Sequence, residues 1–271
     1  MNPSLDELLE YTENIKQEIA EIKLHSDDVR HSFFGLFYTN IYDYYIGKAS
    51  YRLAEYIGKG DVKFTERVYP FNIHAQRLFE IQDLGLLSVG YHGNLNRNII
   101  FGVWTSFELS ISLLFEHLAT ENDLEIIIKK LNSKVIKAIA NLEEQEKSII
   151  MDNLKKSSFI PLLRKFNFLI KRKPNCYSGD LKEDREFLNF AVKLRNCMIH
   201  SNGIYHGNEY YYKFGQEEFR FIDKQMFMQK GPNNKDVYLD IAIRLKEIFK
   251  NLMNCVSEID YLEYPDDGQV E

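Results

Sequence analysis

Three residue types suited to acid–base chemistry on a phosphate fall within six positions of one another. They are Arg195, Asn196 and His200, in the stretch Lys-Leu-Arg-Asn-Cys-Met-Ile-His-Ser-Asn-Gly that begins at Lys193. Opening a phosphodiester in RNA requires a 2′-hydroxyl to lose a proton, the leaving oxygen to gain one, and the phosphate to carry extra negative charge. An imidazole exchanges protons near neutral pH. A guanidinium stays charged and offers a planar fork to phosphate oxygens, so it stabilises the transition state more than the ground state. Asparagine could orient either the phosphate or the histidine, and such a scheme needs no metal. The other common catalytic signatures are missing: no glycine-rich phosphate loop, no HExxH, no GxSxG elbow and no EF-hand pattern. Cys176, Cys197 and Cys255 are odd in number and in no zinc-like pairing, so a reduced chain with no metal and no cofactor is expected.

Spacing constrains how these groups meet. At about 100° per residue, Asn196 and His200 stand about 40° apart on a helix, whereas Arg195 and His200 stand about 140° apart. One regular helix is therefore not expected to join the pair. Either the helix loosens before Ser201-Asn202-Gly203, or a second copy of the chain completes the site. Asn189, Lys193, Asn196 and His200 share a stripe that would line such a cleft, with Lys193 in support. The plainer alternative is that Arg195 caps or salt-bridges a helix end and His200 sits in a last turn where the helix dipole favours a cation. Glu108, among Trp104, Phe107, Leu109 and Ile111, would be costly to bury without a partner. Arg195 is the candidate partner, unless Glu108 faces water. Cys197 and Trp104 read as buried packing, and His206 as a loop residue or a second cleft residue.

The elements that must carry these residues are helical. Ser4 and Glu7 match a capping box ahead of a helix to about Leu24, and Asp27 and Asp28 open a second, which stops near Gly58 and Gly60. That second helix packs seven aromatics into Phe33–Tyr45. At helical spacing these read as core, although exposed rings could stack bases. Residues 61–98, punctuated by Pro70, Gly85, Gly90 and Gly93, read as a connector with short helices. A strong helix then presents Ile100, Val103, Trp104, Phe107, Ile111, Leu114 and Phe115 on one face. Further helices are expected over 121–140, 143–155 and from Pro161. Asp180 and Glu183 have capping-box spacing before the helix that bears the motif, whose Phe187, Ala191, Leu194 and Met198 share a side. Gly215 splits the aromatic stretch 209–229 into a β-hairpin, a last helix covers 236–262, and residues 263–271 form an acidic tail.

Charge narrows the partners. Lysine and arginine number 34 against 40 acidic residues, for a net charge of −6, which excludes a wholly basic nucleic-acid coat. Between Lys155 and Lys173, however, stand Lys155, Lys156, Arg164, Lys165, Lys171, Arg172 and Lys173 with no acid. The run either holds phosphates, with Lys171, Arg172 and Lys173 as the RNA contacts, or is a solvated face whose stems cover Leu163, Phe166 and Phe168. Ile99–Leu118 is apolar enough to suggest a membrane span, but Glu108 and three serines make it a core helix. The N-terminus lacks the features of a secretory signal, so a soluble, unprocessed, cytoplasmic chain is expected, with no membrane partner.

Arg195-Asn196-Cys197-Met198-Ile199-His200 fits the R-N-x-x-x-H form of the motif that marks the HEPN superfamily of helical-bundle ribonucleases, found in toxins, phage-defence proteins and CRISPR effectors. The chain resembles that family over about residues 98–262: long helices, the motif at the end of a late helix, and a closing helix. The resemblance implies metal-independent cleavage of RNA to a 2′,3′-cyclic phosphate, with Arg195, Asn196 and His200 in the catalytic positions. It also implies that two domains pair to form one cleft; with a single motif here, a symmetric homodimer is expected, and for a toxin, an antitoxin protein. The expected fold is mostly α: an N-terminal helical region over 1–95, a HEPN-type bundle over 96–262 with a β-hairpin after the motif helix, and a tail over 263–271. Two other readings stand beside this one: a non-catalytic module of the same type that binds nucleotide, RNA or protein, and a helical adaptor that recognises a protein through its aromatic N-terminal region.

Overall fold

The computed structural model describes residues 5–22, 24–25, 27–58, 84–200, 203–231 and 236–257. Nine α-helices among them amount to 72% helix beside one small antiparallel sheet, so the chain is mostly helical as expected. The helices are α1 (Leu5–Ala20), α2 (Val29–Gly58), α3 (Leu84–Leu118), α4 (Glu121–Leu131), α5 (Ser133–Ile139), α6 (Glu144–Lys156), α7 (Leu162–Arg172), α8 (Leu181–His200) and α9 (Val237–Met253). Strands β1 (Tyr210–Phe214), β2 (Glu217–Phe221) and β3 (Met228–Lys230) lie between α8 and α9. The expected cap at Ser4, the connector over 61–83, Ser201-Asn202 and the acidic tail lie outside the described residues. The chain divides into two units, one formed by Met1–Glu21, Phe37–Val103 and Arg195–Ala242, the other by Ile22–Leu36, Trp104–Leu194 and Ile243–Glu271.

In the first unit, the part of the expected connector that is described, residues 84–98, belongs instead to the 35-residue helix α3. The glycines there do not punctuate the chain. Gly47 of α2 and Gly102 of α3 mark close approach, since a Cβ at Gly47 would overlap Leu95 and one at Gly102 would overlap the Asn40 amide. We expect Gly102→Ala to cost about 1–3 kcal/mol, read as a lower urea midpoint with an unchanged slope. Behind this contact, buried Asp236 accepts from the Tyr44 hydroxyl at 3.0 Å and pairs with Lys48 at 2.8 Å. Burial raises the Tyr44 hydroxyl's pKa, and the Asp236 carboxylate adds to the effect.

The expected hairpin forms. Gly215, at φ 59°, turns β1 into β2 with Tyr212 opposite Phe219, and β3 extends the sheet in the order β1-β2-β3. Glu217, Phe219 and Phe221 are buried at alternate positions of β2. Backbone bonds tie the segment after α8 to this sheet: Tyr205 N–H donates to the Gln225 carbonyl at 2.9 Å, and Phe227 N–H to the Gly203 carbonyl at 2.8 Å.

In the second unit, Asp28 caps α2 by accepting from the Arg30 N–H at 2.8 Å. The same carboxylate takes Arg30 Nε at 2.9 Å and Nη2 at 2.7 Å, while Arg30 Nη1 donates to the Val256 carbonyl at 3.0 Å; both side chains are fully buried. Phe33, Phe107 and Phe249 cluster beside them, with the Phe33 and Phe249 centroids 4.0 Å apart. Each such ring contributes about 1.5–3 kcal/mol of burial. The single helix expected over 121–140 is two, because Asn132 adopts an extended conformation and its side chain accepts the Lys134 N–H at 3.1 Å to start α5. Leu124, Ile128, Ile139 and Met151 then close over Phe115 and Ile160.

One stretch among the described residues, Gly93–Leu118, is long and apolar enough to cross a membrane, with a mean hydropathy of 1.4. Because 61% of that window is buried within the protein, we read it as a core helix, in line with the expectation from Glu108.

Candidate functional site

Helix α8 is well specified. At its start the Asp180 carboxylate accepts the backbone N–H groups of Lys182 at 2.8 Å and Glu183 at 3.0 Å, which hold its carboxyl below the usual range. Along its length Phe187, Leu188, Ala191, Leu194 and Cys197 are buried, so the opposite face is left to Asn189, Asn196 and His200, which are exposed, with Lys193 half-buried. At its end Gly203, at φ 88°, donates its N–H to the Cys197 carbonyl at 2.7 Å, satisfying one of the last-turn acceptors in a conformation that favours glycine.

Arg195 and His200 meet within one chain. Arg195 Nη1 donates to His200 Nε2 at 2.5 Å and to Asn196 Oδ1 at 3.0 Å, so both of its N–H bonds are used. The helix remains regular through His200, and no second copy is required for this contact, contrary to the alternatives drawn from spacing. The reason is side-chain reach. Five residues rise only about 7.5 Å, histidine leans back along the helix, and an extended arginine covers the remaining angle. A guanidinium nitrogen can only donate, so in this contact Nε2 is the acceptor. Arg195 Nε is sealed from solvent and finds no acceptor among the described residues.

The other expected site residues lie in the second unit. Glu108 accepts the indole N–H of Trp104, one turn earlier on α3, at 3.0 Å, and this local bond accounts for its half-buried carboxylate. The basic run separates into different environments. Lys165 is buried, donating to the Ser112 hydroxyl at 3.1 Å and lying 5.8 Å from the Phe115 ring centroid. Lys156 pairs with Asp152 at 2.8 Å. Lys171 and Arg172 are exposed and line a pocket with Lys130, a cation that the sequence reading did not associate with them. Lys173 ends α7 and is half-buried. A helical-wheel comparison of α4 with α7 could have found Lys130, but nothing in the sequence says that these two helices face each other. Cys197 and Trp104 are buried as expected, and His206 is an exposed loop residue.

Burial lowers the pKa of Lys165 from the ordinary 10.5. Below the folded-state value both states are protonated and the native state bears the desolvation. As pH rises towards 10.5 the unfolded chain holds more protons, so this handicap shrinks. Lys165→Met should therefore melt at or above the wild-type temperature at neutral pH, with the difference narrowing in alkali.

No protein-family model matches the chain, and neither the curated proteins nor the solved structures contain a significant match.

Proposed function

We propose that the protein is a metal-independent endoribonuclease of HEPN type, acting in phage defence or as a toxin, with Arg195, Asn196 and His200 as its catalytic group. The observation that carries this reading is the Arg195–His200 contact on an exposed helix end. An imidazole held beside a guanidinium is suited to take the 2′-hydroxyl proton as general base. When a strand enters, the guanidinium redirects its N–H hydrogen bond from Nε2 to a phosphate oxygen, which frees the base and places positive charge where the phosphorane gathers negative charge. Asn196 holds the guanidinium beside the ring until then. The resemblance to the family adds pairing of two chains, so that a second histidine can serve as general acid. Light scattering on the purified protein should give twice the 32.0 kDa chain mass.

The test is incubation of RNA with the protein in EDTA. Fragments ending in a 2′,3′-cyclic phosphate from wild type, and far slower release of them from His200→Ala, are expected; equal cleavage by both would overturn the reading. The non-catalytic alternative draws support from the same contact, because the guanidinium covers the ring nitrogen as a helix-end partner would. It predicts salt-sensitive binding of RNA or nucleotide with no cleavage at any protein concentration.

A further inference from the structure

The second unit holds an open pocket of about 340 Å³ lined by residues of α4 and α7. Four of these are cations: Lys130, Arg164, Lys171 and Arg172. Arg172 gives one Nη1 N–H to the Leu118 carbonyl at 3.3 Å, whereas the side chains of Lys130, Arg164 and Lys171 have no ion pair or hydrogen bond among the described residues. The one acid in the lining, Asp123, offsets only one of the four charges, and its carboxylate is engaged within its own helix. Asp123 accepts the Thr120 hydroxyl at 2.7 Å and the Thr120 N–H at 3.0 Å in the capping box of α4. Asn167 has its Oδ1 taken by Arg185 Nε at 2.6 Å, which leaves its amide N–H groups for another acceptor. Ile126, 47% exposed, and Phe168 supply an apolar wall. Like charges gathered around one concavity repel each other, and a bound anion reverses that cost.

We propose that this pocket binds a nucleoside di- or triphosphate, with the phosphates among the four cations and the base against the Ile126–Phe168 wall. Its volume lies within the range of small-molecule sites. The cations converge on one space rather than forming a row. A polynucleotide would need the positive track to continue, and α4 and the first turn of α6 carry Glu121, Glu125, Glu144 and Glu146 instead.

The proposal is independent of the nuclease reading, and its test reads binding rather than cleavage. ATP is titrated into the full chain by calorimetry, without divalent cations, at two salt concentrations. The proteins compared are wild type, Arg164→Ala/Lys171→Ala, and Lys134→Ala/Lys137→Ala, the last removing two exposed cations of α5. Wild type and the α5 variant should bind equally, more weakly as salt rises, and loss of the two pocket cations should weaken binding roughly 100-fold. No heat at millimolar ATP, or equal binding by Arg164→Ala/Lys171→Ala, would overturn the proposal. Equal affinity for inorganic tripolyphosphate would overturn the nucleoside part. Binding of a twelve-residue oligouridylate that requires Arg164 and Lys171 but is not displaced by ATP would assign these cations to RNA instead.

Discussion

Replacing His200 by alanine is expected to lower kcat/KM for RNA cleavage by about 10²–10⁴-fold, the span that a positioned acid or base supplies. The same substitution should leave the melting temperature unchanged, because His200 is exposed and its removal opens no cavity. Arg195→Ala is expected to cost about 10²–10³-fold through loss of charge stabilisation in the transition state. Arg195→Lys should recover little of it. An ammonium is a point charge, whereas this guanidinium uses two N–H bonds on one nitrogen to hold Asn196 and His200 together. Asn196→Ala removes only the orienting contact, so its loss should be smaller than either. Substrate-concentration series on these variants, with melting curves alongside, separate a chemical defect from an unfolded protein.

The largest stability effect is expected at Asp28. Asp28→Ala removes the carboxylate that pairs with the fully buried Arg30 guanidinium, at about 3–5 kcal/mol, and removes the α2 cap as well. For a chain of this size that corresponds to a fall of roughly 10 °C in the thermal midpoint. The double variant Asp28→Ser/Arg30→Met tests the cause, since serine keeps a cap and methionine fills the space without a charge. It should recover most of the loss. A double variant as unstable as Asp28→Ala would show that the penalty does not come from breaking the Asp28–Arg30 pair.

Local signals served the sequence reading well. Asp180 caps α8, Gly203 closes it with a positive φ, Gly215 turns the hairpin, and the apolar spacing of 187–197 sets which face of α8 is left for Asn196 and His200. Each depends on residues a few positions apart. What misled the reading depends on partners distant in sequence. Glycines read as breaks over 84–98 lie within α3, where Gly102 lets the backbone approach Asn40, and such a contact leaves no mark in the local pattern. Lys165 looks like its basic neighbours until Ser112 and Phe115 enclose it. Asp28 reads only as a cap, and the burial of its pair with Arg30 is hidden because Arg30 also donates to the Val256 carbonyl, 226 residues on. The Arg195–His200 contact was hidden for another reason: angular position alone takes no account of how far an arginine side chain extends.

The central claim is that Arg195 and His200 act on one phosphate as a single device, and a double-variant cycle tests it most directly. Single-turnover cleavage of one RNA in EDTA would be measured for wild type, Arg195→Ala, His200→Ala and the combined variant. Groups that act as a unit are strongly non-additive, so the combined variant should cut no more slowly than the worse single one. Four equal rates, or losses that simply multiply, would contradict the account.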